Sequence, residues 1–436
     1  MASDSKPFTP NRFRRFRKLA SLSAQVGADV LTRGVKRWRS GEEDPAVLSA
    51  STAEKLVATL GDMKGAAMKF GQAVSMDADL LTPELRVILS RLQNEAPPMP
   101  YETVEEVLKR ELGGTPGSLF ATFDREPLAA ASLGQVHRAT LEDGRPVVVK
   151  VQYPGVDDAL KSDLENLGVL VKALAKTSRA LDGRTYYQEL QREFAAELDY
   201  QREATLCRAF GEVVSSIEGL RVPHVIEERT ASRVLTLEYL PGPTLRTFAE
   251  AGPSAEERFR VSRLLVRAIY GPFLKAGWIH SDPHPGNFIV MPNGQLGLVD
   301  FGSVKQFSES FVQANRRTLL RALAHDVEDV VQVLRDVGFT LDLPEPEARE
   351  VTAEILEIAG RPLRSGHYDF SQCTMASDMR KLGARRMATM LKIRPPQEAV
   401  MFFRGTGGCT QNLKMLGAQG DFRQIYRELT SLFPAA

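Results

Sequence analysis

The feature that most constrains this chain is a polar stretch in its second half, IHSDPHPGNFIVMPNGQLGLVDFG, with three oxygen-bearing side chains at fixed spacing. Asp282 precedes Asn287 by five residues, and Asn287 precedes Asp300, the first residue of an Asp-Phe-Gly triplet, by thirteen. Short strand-like pieces at 287–291 and 296–300 flank a Pro-Asn-Gly turn. The order and spacing of the three side chains carry more information than any one of them.

This spacing is the order HxDxxxxN followed by DFG that protein kinases use. Phosphoryl transfer needs metal ligands that bridge the nucleotide's phosphates, and a carboxylate near the incoming nucleophile, because its catalysis is mainly positioning and charge neutralisation. The pattern therefore predicts Asn287 and Asp300 as ligands of magnesium, with manganese as the alternative ion. It predicts Asp282 as the base or orienting group.

Two histidines lie close to the predicted base. His280 and His284 are separated by four residues, as in half of a zinc motif, but Pro283 and Pro285 exclude the helix that would place both on one face. We expect the histidines to support the loop. Ser281 stands where ordinary kinases have an arginine, so activation through a phosphorylated loop that pairs with that arginine is not expected.

A second set of nucleotide-binding residues precedes this stretch. Lys150 ends a strand-like run, a position that suits contact with the α- and β-phosphates of ATP. Residues 129–136 follow the GxGxxGxV frame with alanine at the first two glycine positions. Where such a loop needs a positive φ, alanine costs about 1 to 2 kcal/mol, so we expect this loop to follow a different path over the phosphates. The chain contains no GxxxxGK[ST] P-loop motif. The predicted ATP-binding residues are Ala129, Ala130, Ala131, Ser132, Gly134, Val136 and Lys150, with Glu238 and Leu240 at the hinge.

Hydrophobic periodicity gives the chain a helical first part, a strand-rich middle and a helical last part. Apolar spacings of three and four predict a helix over 54–76 and another over 102–112. The segment 127–153 is typical of a hairpin, and 233–240 alternates as a strand. After residue 253 the chain is mostly helical except around the polar stretch.

Together these motifs resemble the UbiB/AarF family of atypical, protein-kinase-like proteins, and the resemblance covers nearly the whole chain. The family's KxGQ signature matches Lys69, Gly71 and Gln72, and its ExD signature matches Glu197 and Asp199. The resemblance implies that these two motifs meet in a regulatory cleft.

Two further matches concern the nucleotide. The family's alanine-rich loop matches residues 129–132, and the glutamate that pairs the nucleotide lysine matches Glu203. Lys150, Glu203 and Asp282 are thus the predicted catalytic residues.

The resemblance implies an α+β, two-lobed protein-kinase-like fold with a β-rich N-lobe and a helical C-lobe. An N-terminal helical extension would lie over the place where a peptide substrate binds, and would obstruct protein phosphorylation. The predicted divisions are a basic segment at 1–45, the KxGQ extension at 46–115, the N-lobe with a helical insert at 116–240 and the C-lobe at 241–436.

Three functions remain open. The resemblance implies an ATPase or small-molecule kinase in the biosynthesis of ubiquinone or other prenyl lipids, with biosynthetic enzymes as partners. A true serine/threonine protein kinase would have to move the extension aside. A non-catalytic, ATP-gated module would bind lipid or partner without turnover.

Charge and composition indicate which partners and which cellular compartment to expect. The 56 lysines and arginines nearly cancel the 55 aspartates and glutamates, so no nucleic-acid partner is expected. Basic residues crowd the first forty positions, where Phe13, Phe16 and Trp38 would anchor an interfacial helix on anionic lipid; packing on the body of the protein is the alternative. Three widely spaced cysteines and no signal or spanning segment predict a cytoplasmic protein, peripheral on a membrane if it meets one.

Overall fold

The computed structural model describes residues 99–131, 133–157, 198–326, 329–364 and 366–433. The KxGQ helix, the basic N-terminal segment, Ser132 and Glu197 lie outside the described residues, so their predicted roles stay predictions. The chain divides into two compact units, 1–201 with 226–237, and 202–225 with 238–436.

The first unit is built on a five-stranded sheet in the order β1-β3-β4-β6, with β2 paired to β3. Helix α1 packs against β4. The elements are α1 (Tyr101–Leu112), α2 (Pro116–Leu119), β1 (Thr122–Phe123), β2 (Ala129–Ala131), β3 (Gly134–Thr140), β4 (Pro146–Gln152), the start of α3 (Tyr200–Val214) and β6 (Val234–Glu238).

The core of this unit follows from two periodicities. Val104 and Leu108, one helical turn apart on α1, meet Val147, Val149 and Val151, which alternate along β4. The helix predicted over 102–112 is confirmed, and it ends at a glycine with φ +76°. The predicted hairpin is also confirmed, as β3 and β4 run antiparallel from the Gly134–Gln152 pair to the Thr140–Pro146 pair.

The second unit is mostly helical and contains several short sheets. Strands β5, β9 and β8 form one sheet, and β7 pairs with β10. The elements that follow α3 are β5 (Leu220–Arg221), α4 (Leu245–Glu250), α5 (Ala255–Ala276), β7 (Trp278–His280), β8 (Phe288–Val290), β9 (Leu296–Leu298), β10 (Val304–Gln306), α6 (Glu309–Ala324), α7 (Val330–Asp336), β11 (Thr340–Leu341), α8 (Glu345–Ala359), α9 (Arg361–Arg364), β12 (Tyr368–Asp369), α10 (Met375–Arg385), α11 (Met387–Met390), β13 (Ile393–Arg394), α12 (Gln397–Met415), β14 (Gln419–Gly420) and α13 (Phe422–Leu432).

Helix α5 is the central helix of this unit and leads directly into the polar stretch. A capping box starts it, since the Ser254 side chain accepts from the Glu257 N–H and the Glu257 carboxylate accepts from the Ser254 N–H. Gly277, with φ +73°, ends it in the left-handed conformation. Strand β7 begins one residue later, so the end of α5 fixes the start of the site. Within the described residues, no helix combines the length and apolarity that a membrane span requires.

Candidate active site

The β8–β9 hairpin brings two of the predicted site residues side by side. Phe288 pairs with Leu298 in the antiparallel ladder, and the Val299 N–H donates to the Asn287 carbonyl at 2.9 Å. Asp300 follows Val299 directly. The thirteen-residue spacing from Asn287 to Asp300 is therefore that of a hairpin whose two ends lie beside each other.

Asp282, the predicted base, is hydrogen-bonded to Asn287, a predicted metal ligand. The Asn287 Nδ2 donates to Asp282 Oδ2 at 3.0 Å and to the Asp282 carbonyl at 3.3 Å. The other carboxylate oxygen of Asp282 accepts from the His284 N–H at 3.3 Å. These bonds fix the plane of the Asp282 carboxylate and turn the Asn287 amide so that its oxygen is the atom available to a cation.

Asp300 has an unusual backbone conformation. Its φ is +66°, and the only other non-glycine residue with a positive φ in the described part of the chain is His325. A non-glycine residue pays about 1 to 2 kcal/mol for this left-handed conformation, although aspartate tolerates it better than most. The Asp300 Oδ1 accepts from the Gly302 N–H at 3.3 Å, a local bond that offsets part of the cost.

Two neighbouring residues of α3 hold the Asp-Phe-Gly triplet. Glu203 Oε1 accepts from the Phe301 N–H at 3.3 Å, and Arg202 Nη1 donates to the Gly302 carbonyl at 3.3 Å. Both Glu203 and Phe301 are buried, with Glu203 only 2% exposed. No sequence signal pointed to the role of Arg202, because the two segments are about a hundred residues apart and only the fold joins them.

His280 supports the triplet from the other side. Its Nε2 lies 2.7 Å from the Asp300 carbonyl oxygen, so this nitrogen carries the proton and donates. The buried ring lies among the aromatic rings of Phe210, Phe288 and Phe301. This is the loop-supporting role that the sequence predicted for it.

His284 supports the loop as well. Its Nδ1 accepts from the Gly286 N–H at 3.1 Å, which requires an unprotonated nitrogen. Burial lowers the pKa of His284, although the nearby Asp282 carboxylate acts to raise it. The lowered pKa favours the neutral ring, in which Nδ1 can accept this bond. Ser281, at the position of the kinase arginine, donates from Oγ to the Ser303 carbonyl at 2.5 Å and ties β7 to the segment after the triplet.

In the first unit, the alanine-rich segment forms part of a tight hairpin. Ala129 pairs with Val136 and Ala131 pairs with Gly134 across β2 and β3, and neither alanine has a positive φ. A Cβ at Gly134 would lie 2.1 Å from the carbonyl oxygen of Val151. The alanines are therefore unstrained, while the one glycine of the frame is required by close backbone approach.

Lys150 lies on the same sheet, opposite Val136. Its ammonium nitrogen is 4.9 Å from the ring centroid of Tyr200, a cation–π distance. The predicted pairing of Lys150 with Glu203 joins residues of different units and stays a prediction. Asp199 of the ExD motif is exposed.

The predicted hinge residues have structural partners of their own. The Glu238 carboxylate accepts from Arg221 Nη2 at 2.8 and 2.7 Å and from the His224 N–H at 3.0 Å. Burial alone would raise the pKa of Glu238, but these hydrogen bonds outweigh it and hold the pKa below the usual range. Leu240 is buried against Gly297, where a Cβ would lie 2.7 Å from the leucine Cδ1. Contact of either residue with ATP stays a prediction.

Comparison with known proteins decides the family. The sequence profile of the ABC1 atypical kinase-like domain matches residues 91–334, more than half of the chain. The chain belongs to this family. The match contains the alanine hairpin, Lys150, Glu203 and the whole polar stretch, so it confirms the predicted kinase-like fold class and the assignment as an ATP-dependent atypical kinase.

Relatives match this ABC1-family chain over nearly all its length. It is 29% identical to "Atypical kinase COQ8, mitochondrial" of Saccharomyces cerevisiae, covering 96% of this chain and 85% of the relative. It is 30% identical to "Atypical kinase COQ8B, mitochondrial" of Rattus norvegicus, covering 96% and 80%. Among solved structures, Rv3197 of Mycobacterium tuberculosis, in complex with erythromycin, matches with a TM-score of 0.65 and 29% identity over 87% of this chain and 95% of that chain.

Proposed function

We propose that this chain binds MgATP and acts on its terminal phosphate, with Asn287 and Asp300 holding the metal and Asp282 beside the reacting group. The observation that carries the proposal is the β8–β9 register. The Val299 N–H donates to the Asn287 backbone carbonyl, so Asn287 lies opposite the residue that precedes Asp300, and the Asn287 side-chain amide donates to Asp282. This register supports the proposal that the three positions act together.

The donor set fits magnesium. Mg²⁺ prefers oxygen ligands and is commonly held by one or two carboxylates together with substrate phosphates. The described residues contain no cluster of three or more His, Cys, Asp or Glu that could hold a metal. An amide and a carboxylate suit an ion that arrives with a nucleotide. When bound, the ion would neutralise charge on the phosphates.

In this proposal Asp282 acts as the base or orienting group. Both of its carboxylate oxygens accept hydrogen bonds from the loop, and these bonds hold the carboxylate in one orientation. A carboxylate held in a fixed orientation suits phosphoryl transfer, because the reaction depends mainly on aligning the nucleophile.

The acceptor belongs to prenyl-lipid metabolism in this proposal. The resemblance to the UbiB/AarF family supports a role in making ubiquinone or other prenyl lipids, and the relatives named above are atypical kinases designated mitochondrial. We propose that ATP turnover serves a prenylated small molecule at an anionic membrane surface, alongside partner biosynthetic enzymes. Contact with that surface would be peripheral, on a cytoplasmic or equivalent inner face.

The test is phosphate release from MgATP by the purified chain, with and without anionic liposomes and a prenylated phenol. Asp300→Asn serves as the active-site variant, and Gln295→Ala, in the turn of the same hairpin, as the matched control. Turnover that is raised by liposomes, kept in the control and lost in Asp300→Asn supports the proposal. Turnover that survives in Asp300→Asn, or none under any condition, contradicts it, and the second result favours an ATP-gated binding module.

A further inference from the structure

One face of α12 lies against the loop that carries Asp282. The helix packs on α5 and on β7, the strand that leads into the loop. Gly405, Gly408 and Asn412 are spaced by three and four residues, so they lie on one side of the helix. None of these residues belongs to the motifs that the sequence singled out.

The glycines allow the helix to approach the loop at very short range. A Cβ at Gly408 would lie 1.9 Å from Cγ and 2.1 Å from Cβ of Pro283, the residue after Asp282. A Cβ at Gly405 would lie 3.0 Å from the Ile279 side chain. Gly407, between them on the exposed side, has nothing within 4 Å of such a Cβ. Glycine costs a helix interior about 1 kcal/mol relative to alanine, and at Gly408 this cost accompanies an approach to Pro283 that any larger residue would block.

Asn412 makes the polar contact at the same place. Its Nδ2 donates to the Pro283 carbonyl at 2.7 Å, and its side chain is only 4% exposed. The segment from Asp282 to Asn287 contains two prolines, which lack an N–H, and it belongs to no strand before the short turn at 285–287. Its backbone therefore depends on side chains for anchoring, and Asn412 provides one.

We infer that Gly408 and Asn412 are positioning residues for the reaction, because together they set where the Asp282–Asn287 loop lies. The glycine fixes how closely the loop approaches α12, and the amide fixes the peptide group next to Asp282. This inference rests on the proposed function, since Asp282 and Asn287 are the groups being positioned. A displacement of about 1 Å in such groups can cost on the order of 100-fold in rate.

The test compares Gly408→Ala and Asn412→Ala with Gly407→Ala in the full-length chain. We measure kcat and KM for MgATP hydrolysis, and hydrogen exchange of the backbone amides of His284 and Gly286. Gly408→Ala and Asn412→Ala are expected to lower kcat by about 10- to 100-fold, with KM within about 3-fold, and to speed exchange of the loop amides. Gly407→Ala is expected to keep both properties, because its methyl group meets open space.

Equal kcat and equal loop exchange in all three variants would overturn the inference. So would a fall in activity that follows thermal stability while the loop amides stay protected, since that is the behaviour of a merely structural contact. If Gly408→Ala does not fold, Asn412→Ala carries the same comparison. Hydrogen exchange reports on the loop even if the chain does not hydrolyse ATP, so failure of the inference and failure of the proposed function are distinguishable.

Discussion

Glu203 has a structural role and a predicted catalytic role, and two substitutions separate them. Its carboxylate accepts from the buried N–H of Phe301, and it is also the predicted partner of Lys150. Glu203→Gln keeps an oxygen that can accept from the N–H but removes the charge, whereas Glu203→Ala removes both. We expect Gln to fold like the wild type with greatly reduced turnover, and Ala to lose stability as well.

The loss of stability expected in Glu203→Ala follows from the burial of the groups involved. Glu203 is 2% exposed and Phe301 is fully buried, so alanine leaves an unpaired N–H that no water reaches. Such a group costs about 1 to 3 kcal/mol, and the cavity left by the side chain adds to it. A cost of 1.4 kcal/mol equals a tenfold change in local opening, so exchange of the Phe301 amide should accelerate by about 10-fold or more in the alanine variant.

Hydrogen exchange resolved at residue 301, together with ATP hydrolysis, measures both roles. The glutamine variant should keep the Phe301 amide protected while kcat/KM falls by at least about 100-fold. Equal protection of that amide in the alanine and glutamine variants would refute the structural part. Wild-type turnover in the glutamine variant would refute the catalytic part.

Three further predictions concern the backbone, the hinge and the alanine hairpin. Gly242→Ala should prevent normal folding, because its φ is +136° and a Cβ would lie 2.2 Å from a carbonyl oxygen of β8. Gly294→Ala, at φ +86° with only the end of the Arg260 side chain nearby at 3.7 Å, should cost only about 1 kcal/mol, and thermal melting compares the two variants. Because the pKa of Glu238 is lowered in the folded state, its hydrogen bond to Arg221 stabilises the fold above the unfolded pKa of 4.5, and this stability is lost as the pH falls through the lower folded pKa. Glu238→Gln should remove this acid-dependent loss, which is about 1 kcal/mol in thermal melts. An unchanged pH profile in the variant would contradict the prediction. Ala131→Gly should change the Kd for ATP, as alanine stands at a glycine position of the kinase frame, and an unchanged Kd in titration calorimetry would remove that idea.

The sequence predicted what is local. The Asp282, Asn287 and Asp300 spacing, the β3–β4 hairpin and helix α1 each depend on turn residues and periodicity within a few tens of residues, and the structure contains all of them. The spacing between Asn287 and Asp300 was informative because the β8–β9 hairpin has a fixed length and brings its two ends together.

What the sequence could not predict depends on contacts between distant segments. The bonds from Arg202 to Gly302 and from Arg221 to Glu238 arise only when helices and strands pack. The contact of Asn412 with Pro283 is of the same kind, although glycines inside a helix were a usable signal that something approaches closely there. The positive φ of Asp300 contradicts local preference, and such departures concentrate at functional sites.

Asn287 and Asp300 are proposed to hold a magnesium ion together with ATP. The measurement that tests it most directly is titration calorimetry of ATP binding with and without Mg²⁺, in the wild type and in Asp300→Asn. We expect Mg²⁺ to tighten ATP binding by at least about 10-fold in the wild type, about 1.4 kcal/mol, and to have little effect in the variant. An equal magnesium effect in both proteins would mean that Asp300 does not hold the ion.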